Sequence, residues 1–174
     1  MLRGCNVGSG QRPFSSVVGE IEWANIDKVW HDGMPEPDFI CDGADLPFLD
    51  ESADYVVLSH TAEHFGCGEA GGLIREAHRV LRVGGKLIVT VPDMRELAIG
   101  WLGGKIDTQI YLTCVYGAWM GHEEDRHKWG FDRDHLRKFI SANGDWSLMM
   151  DDWQAVPGMD LARDWWILGV QCLK

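Results

Sequence analysis

The sequence lacks the cysteine patterns that would indicate a disulfide framework or a structural zinc site. Its five cysteines are odd in number and widely spread, and no two of them share a C-x-x-C spacing. Disulfide-rich secreted domains and zinc-binding modules need more regular spacings, so reduced thiols in a cytoplasmic protein are expected. The cysteines are Cys5, Cys41, Cys67, Cys114 and Cys172.

Long apolar segments and clusters of basic residues are also missing. No run approaches the roughly 20 apolar residues of a membrane span, and the N-terminus carries no signal-peptide pattern, so no membrane association is expected. The 16 Lys and Arg residues are outnumbered by 27 Asp and Glu, which gives a formal net charge of −11. Such a charge repels a phosphate backbone, so nucleic acid is not an expected partner.

Short apolar runs alternate with helical patterns along the 174 residues. The length predicts a single domain over 1–174, and the alternation is typical of a parallel sheet with crossover helices. Amphipathic patterns predict two helices. The first spans 70–81 and is followed by Gly84 as a stop signal, and the second spans 132–143 with Asp132 as its N-cap. Strands are predicted at 5–7, 23–27, 39–41, 53–59 and 86–91, followed by a C-terminal pair at 146–156 and 165–173 around Pro157-Gly158.

This element order predicts a Rossmann-like, doubly wound α/β fold. Its mostly parallel seven-stranded sheet is expected to end in an antiparallel C-terminal hairpin and to carry helices on both faces. The segment 93–130 contains a predicted helix over 106–119. Because it follows the last parallel strand, it is a candidate lid or acceptor-binding insert within the single domain.

Glycines and carboxylates follow the first three predicted strands. Gly8 and Gly10 form a turn after the first strand, Asp27 ends the second, and Asp42 follows the third. Ligands of such folds bind where the carboxyl ends of parallel strands meet. Glycines let the backbone approach a ligand, and a carboxylate can accept hydrogen bonds from both hydroxyls of a ribose. The three features predict one pocket for a ligand that contains a nucleoside.

The glycine turn distinguishes between cofactors. A dinucleotide-binding turn needs a third glycine, but Pro13 stands at that position. S-adenosylmethionine carries no phosphate and does not need this glycine. No Tyr-x-x-x-Lys pair is present either, so a nicotinamide-dependent dehydrogenase is disfavoured.

Four segments resemble the small class I S-adenosylmethionine-dependent methyltransferases of the methyltransferase-11 type. These segments are 5–13, 23–27, 42–48 with 54–65, and 75–93, and a weaker match covers 127–132. The resemblance implies S-adenosyl-L-methionine as the cofactor. It also implies that the cofactor is bound by Asn6, Gly8, Ser9, Gly10, Asp27, Asp42, Gly43, Ala44, Ser59 and His60.

Methyl transfer from a sulfonium is an in-line displacement that needs mainly positioning, and a base is required only when the acceptor loses a proton. His127, and after it His60, are the candidate bases. The alternatives are that Glu63 and His64 only brace their loop and that residues 122–127 form a solvated acidic loop. No metal site is predicted, because His122, Glu123 and His127 match no usual ligand spacing. Trp119 and Trp129 are candidate acceptor walls or core residues.

The expected function is methyl transfer to a small molecule or a glycan, at oxygen. Two alternatives stay open: a non-catalytic partner subunit that binds S-adenosylmethionine, and an enzyme that cleaves this cofactor without an acceptor. The nine tryptophans are compatible with a homodimer.

Overall fold

The computed structural model describes residues 1–118, 122–151 and 164–174. Within these ranges the chain forms an eight-stranded sheet and four α-helices. The strands are β1 (Leu2–Val7), β2 (Val17–Val18), β3 (Ile21–Asp27), β4 (Phe39–Ile40), β5 (Ala53–Ser59), β6 (Leu81–Pro92), β7 (Leu148–Met150) and β8 (Ile167–Leu173). The helices are α1 (Ala70–Val80), α2 (Met94–Leu102), α3 (Thr108–Tyr116) and α4 (Arg133–Ser141).

The strand order is β2-β3-β1-β5-β6-β8-β7, with β4 beside β3. Strand β1 pairs in parallel with β3 and β5, β5 pairs in parallel with β6, and β8 runs antiparallel to β6 and β7. The predicted Rossmann-like architecture with a C-terminal antiparallel hairpin is therefore confirmed. The count is eight strands rather than seven, because the two-residue β2 pairs with β3 and was not predicted from the sequence.

The larger core lies between one face of the sheet and helices α1 and α4. The apolar runs of the central strands supply Val7, Val56, Leu58, Leu87 and Val89 to this core. Amphipathic faces of the two helices complete it with Leu73, Ile74, Leu136 and Ile140, which are fully buried. Burial of both sheet faces explains why these strands are continuously apolar rather than alternating.

A smaller cluster covers the opposite face near β3. It consists of Ile21, Trp23, Val57 and Ile88, with Phe14 packed against it. The rings of Phe14 and Trp23 meet edge to face with centroids 4.9 Å apart. Gly4 lies opposite Trp23 in the β1–β3 pairing, and the indole ring occupies the space above its Cα.

The boundary between α1 and β6 differs from the sequence prediction. Helix α1 ends at Val80, because Leu81 is extended and already pairs with Ala53 at the start of β6. Gly84, the predicted helix stop, instead lies inside β6 with φ +80°. Asp132 is confirmed as the N-cap of α4, since its side chain accepts a hydrogen bond from His135 N at 2.8 Å.

The segment after β6 contains two helices where one was predicted. Asp93 caps α2 by accepting hydrogen bonds from the backbone of Arg95 and Glu96, and α3 covers the centre of the predicted helix 106–119. Trp119, the Pro157-Gly158 turn and residues 152–156 of the strand predicted over 146–156 lie outside the described residues. No helix in the described part of the chain is long and apolar enough to cross a membrane. All five cysteines are free thiols, as expected.

We expect Gly4→Ala to destabilise the protein. An added Cβ would lie 2.5 Å from Trp23 Cε3, and overpacking of this kind costs about 1–3 kcal/mol, more than the stiffer chain returns. The matched control is Gly68→Ala, where no atom lies within 4 Å of the added Cβ, and its unfolding free energy should stay within about 0.5 kcal/mol of wild type. Urea unfolding measures the free energy of unfolding of both variants, and equal stabilities would contradict the prediction.

Candidate functional site

The turn that follows β1 is held against the end of β3. Gly8 and Gly10 have φ values of +75° and +47°, which glycine adopts without strain. The backbone amides of Gly8 and Ser9 both donate to Ile26 O, at 2.8 and 3.0 Å. A Cβ on Gly8 would lie 2.5 Å from the Thr61 hydroxyl oxygen, so this glycine is also required by close packing.

Asp27 lies beside this turn, as its position at the end of β3 predicts. Its Oδ2 accepts a hydrogen bond from Gly10 N at 2.8 Å, and its Oδ1 accepts one from Val29 N at 3.3 Å. The carboxylate and the glycine turn therefore form one unit. Behind this unit, Asn6 Nδ2 donates to Asn25 Oδ1 at 2.9 Å, which ties β1 to β3.

Asp42 forms an ion pair with Lys28 beside the site. Its carboxylate accepts hydrogen bonds from Lys28 Nζ at 2.8 Å and from Ala44 N at 2.9 Å. The Lys28 hydrogen bond is the main reason that the pKa of Asp42 lies below its ordinary value. Gly43 lies close to Val7 and Leu73, where a Cβ would come within 2.8 Å of both side chains.

The loop after β5 forms the next wall. His60 has φ +54°, an uncommon conformation for a residue with a side chain, and its Nδ1 lies 3.2 Å from Glu63 Oε1. Thr61 donates its hydroxyl to Val7 O at 2.8 Å, which joins this loop to the glycine turn. Ser59 Oγ accepts a hydrogen bond from Thr90 Oγ1 at 3.1 Å, which ties the end of β5 to β6.

Two adjoining cavities open along these walls. The smaller has a volume of about 210 Å³ and is lined by Gly8, Gly10, Asp27, Gly43 and His60, among others. The larger has a volume of about 880 Å³, shares Gly8, Gly10 and His60, and adds Asn6, Ser9 and Ser59. Eight of the ten residues expected to bind the cofactor thus line one or both cavities, whereas Asp42 and Ala44 line neither.

His127 lies on the wall of the larger cavity, near His60. Its Nδ1 lies 2.8 Å from Cys114 O, and burial lowers the pKa of the imidazole, although the Glu63 carboxylate opposes this shift. The backbone amides of Lys128 and Trp129 both donate to Glu63 O, at 2.7 and 3.1 Å. These bonds bring the segment after α3 onto the loop after β5, so both candidate bases face the same space.

Histidines that the sequence pattern did not bring together also meet at this cavity. Five of the seven line it, namely His31, His60, His64, His122 and His127. The rings of His64 and His127 meet edge to face at 4.8 Å, and those of His31 and His122 stack at 3.4 Å. The sequence marks His60, His64 and the segment 122–127 separately, but it gives no signal that they meet or that His31 joins them.

Trp129, a candidate wall for the acceptor, does not form part of these two cavities. It is exposed, lines neither of them and makes an edge contact with His135, whereas Trp166 lines the larger one. Residues 123–126 form an acidic turn that is exposed except for the half-buried Asp125, and Glu123 pairs with Arg126 at 3.0 Å. The acidic-loop interpretation therefore holds for this turn but not for His127, whose ring is partly buried.

Comparisons with known proteins agree with the fold and with the glycine turn. Residues 4–89 match the family model described as a methyltransferase domain. The structure is similar to a S-adenosylmethionine-dependent methyltransferase from Thermotoga maritima, with a TM-score of 0.61 and 18% identity over 99% of this chain and 82% of that one. A S-adenosylmethionine-dependent methyltransferase from Archaeoglobus fulgidus has a TM-score of 0.62 and 13% identity over 99% and 86% of the two chains.

A third similar structure contains a reaction product. It is 1,6-didemethyltoxoflavin-N1-methyltransferase from Burkholderia thailandensis with bound 1,6-didemethyltoxoflavin and S-adenosylhomocysteine, and it has a TM-score of 0.58 and 13% identity over 99% of this chain and 70% of that one. No protein of curated function matches the sequence. The matched segment spans β1 to β6, which carry the glycine turn and the loop after β5. Residues 4–89 match a methyltransferase domain, and the whole chain has the fold of S-adenosylmethionine-dependent methyltransferases; together these findings support an enzyme of class I whose cofactor is S-adenosyl-L-methionine.

Proposed function

We propose that the enzyme transfers a methyl group to an oxygen atom of a small molecule or a glycan. The observation that carries this proposal is the larger cavity of about 880 Å³, which adjoins the glycine turn and is lined by five histidines. Its volume lies in the range of small-molecule sites. An acceptor hydroxyl must lose a proton during transfer, and imidazoles are the side chains best suited to accept one near neutral pH.

In this proposal the cofactor lies across the two cavities. The smaller cavity holds the adenosine, with Asp27 accepting from the ribose hydroxyls and Gly43 beside the adenine. Lys28, which lines this cavity, is oriented by its ion pair with Asp42. The methionine part then lies along Gly8 to Gly10, and its sulfonium points toward Ser59 and His60 in the larger cavity.

The chemical step is a displacement at the methyl carbon. The acceptor oxygen forms a bond to this carbon while the carbon–sulfur bond breaks, and the proton of the hydroxyl leaves to a base. His127 and His60 are the proposed bases. For His127, the hydrogen bond between Nδ1 and Cys114 O directs the other ring nitrogen, Nε2, to act as the acceptor.

The segment 93–130 is proposed to form the acceptor side of the same domain. Ala118, His122, Asp125 and His127 from this segment line the larger cavity. Helices α2 and α3 pack on each other, with the rings of Trp101 and Tyr111 stacked 4.8 Å apart. An acceptor that enters the cavity would therefore meet residues of this segment opposite the cofactor.

We expect Asp27→Ala to weaken binding of S-adenosylhomocysteine by about 10- to 100-fold or more. The change removes charge-assisted hydrogen bonds to the ribose, which are worth about 1.5–3 kcal/mol, and it frees the amide of Gly10. Glu22→Ala is the matched control, because Glu22 is exposed on the same strand, and its affinity should equal that of wild type. Isothermal titration calorimetry measures the affinity of wild type and of both variants for S-adenosylhomocysteine. An unchanged affinity of Asp27→Ala would contradict the proposed pose.

We expect His127→Gln to lower the rate of transfer to a hydroxyl acceptor by about 10²- to 10⁴-fold, the usual contribution of a general base. The affinity for S-adenosylhomocysteine should change far less than in Asp27→Ala, because the adenosine lies in the smaller cavity, which His127 does not line. Release of S-adenosylhomocysteine with a panel of phenols, catechols and sugars measures the rate.

Two results of that panel would favour a different function. Release of a cofactor fragment without any acceptor would support cleavage of S-adenosylmethionine. Tight cofactor binding without turnover on any acceptor would support a non-catalytic partner subunit.

A further inference from the structure

Three side chains with metal-binding atoms converge at the wall of the larger cavity. They belong to Glu63 and His64 in the loop after β5 and to His127 after α3, and one ligand atom from each lies within 4.8 Å of the others. Two imidazoles and one carboxylate are a common ligand set for zinc and for other divalent transition metals. The sequence separation of His127 from the other two explains why spacing rules did not predict this group.

Both histidines are held in the tautomer that a metal ligand needs. His64 Nδ1 lies 2.9 Å from Glu124 O, and His127 Nδ1 lies 2.8 Å from Cys114 O. A carbonyl oxygen can only accept, so each Nδ1 carries hydrogen and each neutral ring has its lone pair on Nε2. Metal-binding histidines are oriented in this way, with the second ring nitrogen donating to a carbonyl or carboxylate.

The carboxylate of Glu63 supplies the second, independent observation. The residue is only 1% exposed, and its Oε1 lies 3.2 Å from His60 Nδ1. Its Oε2 is buried and has no hydrogen-bond partner among the described residues. Buried carboxylate oxygens without a partner are costly, and a coordinated cation would satisfy this one.

We propose that Glu63, His64 and His127 bind a divalent transition-metal ion on the acceptor side of the cofactor site. The three protein ligands leave at least one coordination position open toward the cavity. Ligand atoms around a tetrahedral zinc ion lie about 3.4 Å apart, since each bond is about 2.1 Å long. The three ligand atoms, which now lie within 4.8 Å of one another, would have to approach to that spacing when the ion binds.

The ion also suggests a class of acceptor, an inference that rests on the proposed function. A hydroxyl that coordinates a divalent ion loses its proton more easily, because the ion stabilises the resulting anion. Acceptors with two neighbouring oxygens, such as catechols or vicinal diols, would bind best because they can occupy two positions on the ion. His60, which is not among the three ligands, would then receive the proton that the hydroxyl releases, and His127 Nε2 would act as a metal ligand instead of as the base.

Cobalt(II) is a suitable probe, because its visible absorption reports ligand number and type. We expect the wild-type chain, freed of metal by a chelator, to bind one Co²⁺ per chain and to exchange it for Zn²⁺. His64→Ala and Glu63→Gln should each weaken binding by about 10- to 100-fold or more. The matched control is His78→Ala, which should bind as wild type, because His78 is half-buried on α1 against Trp146 and lines neither cavity. Circular dichroism and urea unfolding verify that each variant is folded.

Three results would overturn the site. The first is the absence of stoichiometric Co²⁺ binding by wild type, and the second is equal affinity of the folded His64→Ala variant. The third is binding that is lost in His31→Ala but kept in His64→Ala, which would assign the ion to the stacked His31–His122 pair. These measurements use neither cofactor nor acceptor, so their failure would leave the proposed methyl transfer standing.

A second set of spectra tests the acceptor. Addition of a catechol should shift the Co²⁺ absorption of wild type, whereas the monomethyl ether of the same catechol should shift it less. An unchanged spectrum with catechol would refute the coordinated acceptor even if the ion binds.

Discussion

The contact between the glycine turn and the end of β3 is the constraint on which the site depends. Two backbone amides of the turn donate to Ile26 O, and a third donates to the carboxylate of Asp27. These bonds hold the turn beside both cavities and keep Asp27 on the wall of the smaller one. Because β1 pairs with both β3 and β5, any shift of the turn would also move the loop that carries His60.

The loop after β5 lines the cofactor site and also carries Glu63 and His64, and its backbone conformation accounts for both. The left-handed conformation of His60 ends β5 sharply, so that Thr61 turns back to donate to Val7 O. The short helical turn over Ala62–His64 then buries Glu63 and directs His64 into the larger cavity. The cofactor wall and two of the three proposed metal ligands, Glu63 and His64, are thus parts of a single covalent segment. The position of one fixes the position of the other.

The two ends of the site differ in how they are built. The cofactor side consists of strand ends and backbone amides, which are rigid because both faces of the central sheet are packed. The proposed acceptor side consists of residues of 93–130 that meet the loop after β5 through backbone bonds, among them those from Lys128 and Trp129 to Glu63 O. A rigid donor site joined to a more independent acceptor segment allows acceptors to vary among enzymes that share a fold.

Local chemistry determined much of this protein from the sequence alone. Apolar runs predict the strands, the Asp132 cap predicts the start of α4, and glycines and an acid after successive strands predict the cofactor edge, since parallel strands bring their ends together. Tertiary structure alone decided the rest. Leu81 leaves α1 early because it pairs with β5, and Asp42 is neutralised by Lys28 rather than exposed to the cavity. His127 meets Glu63 and His64 only because the chain folds back from α3, a contact set by packing between distant segments that no local pattern encodes.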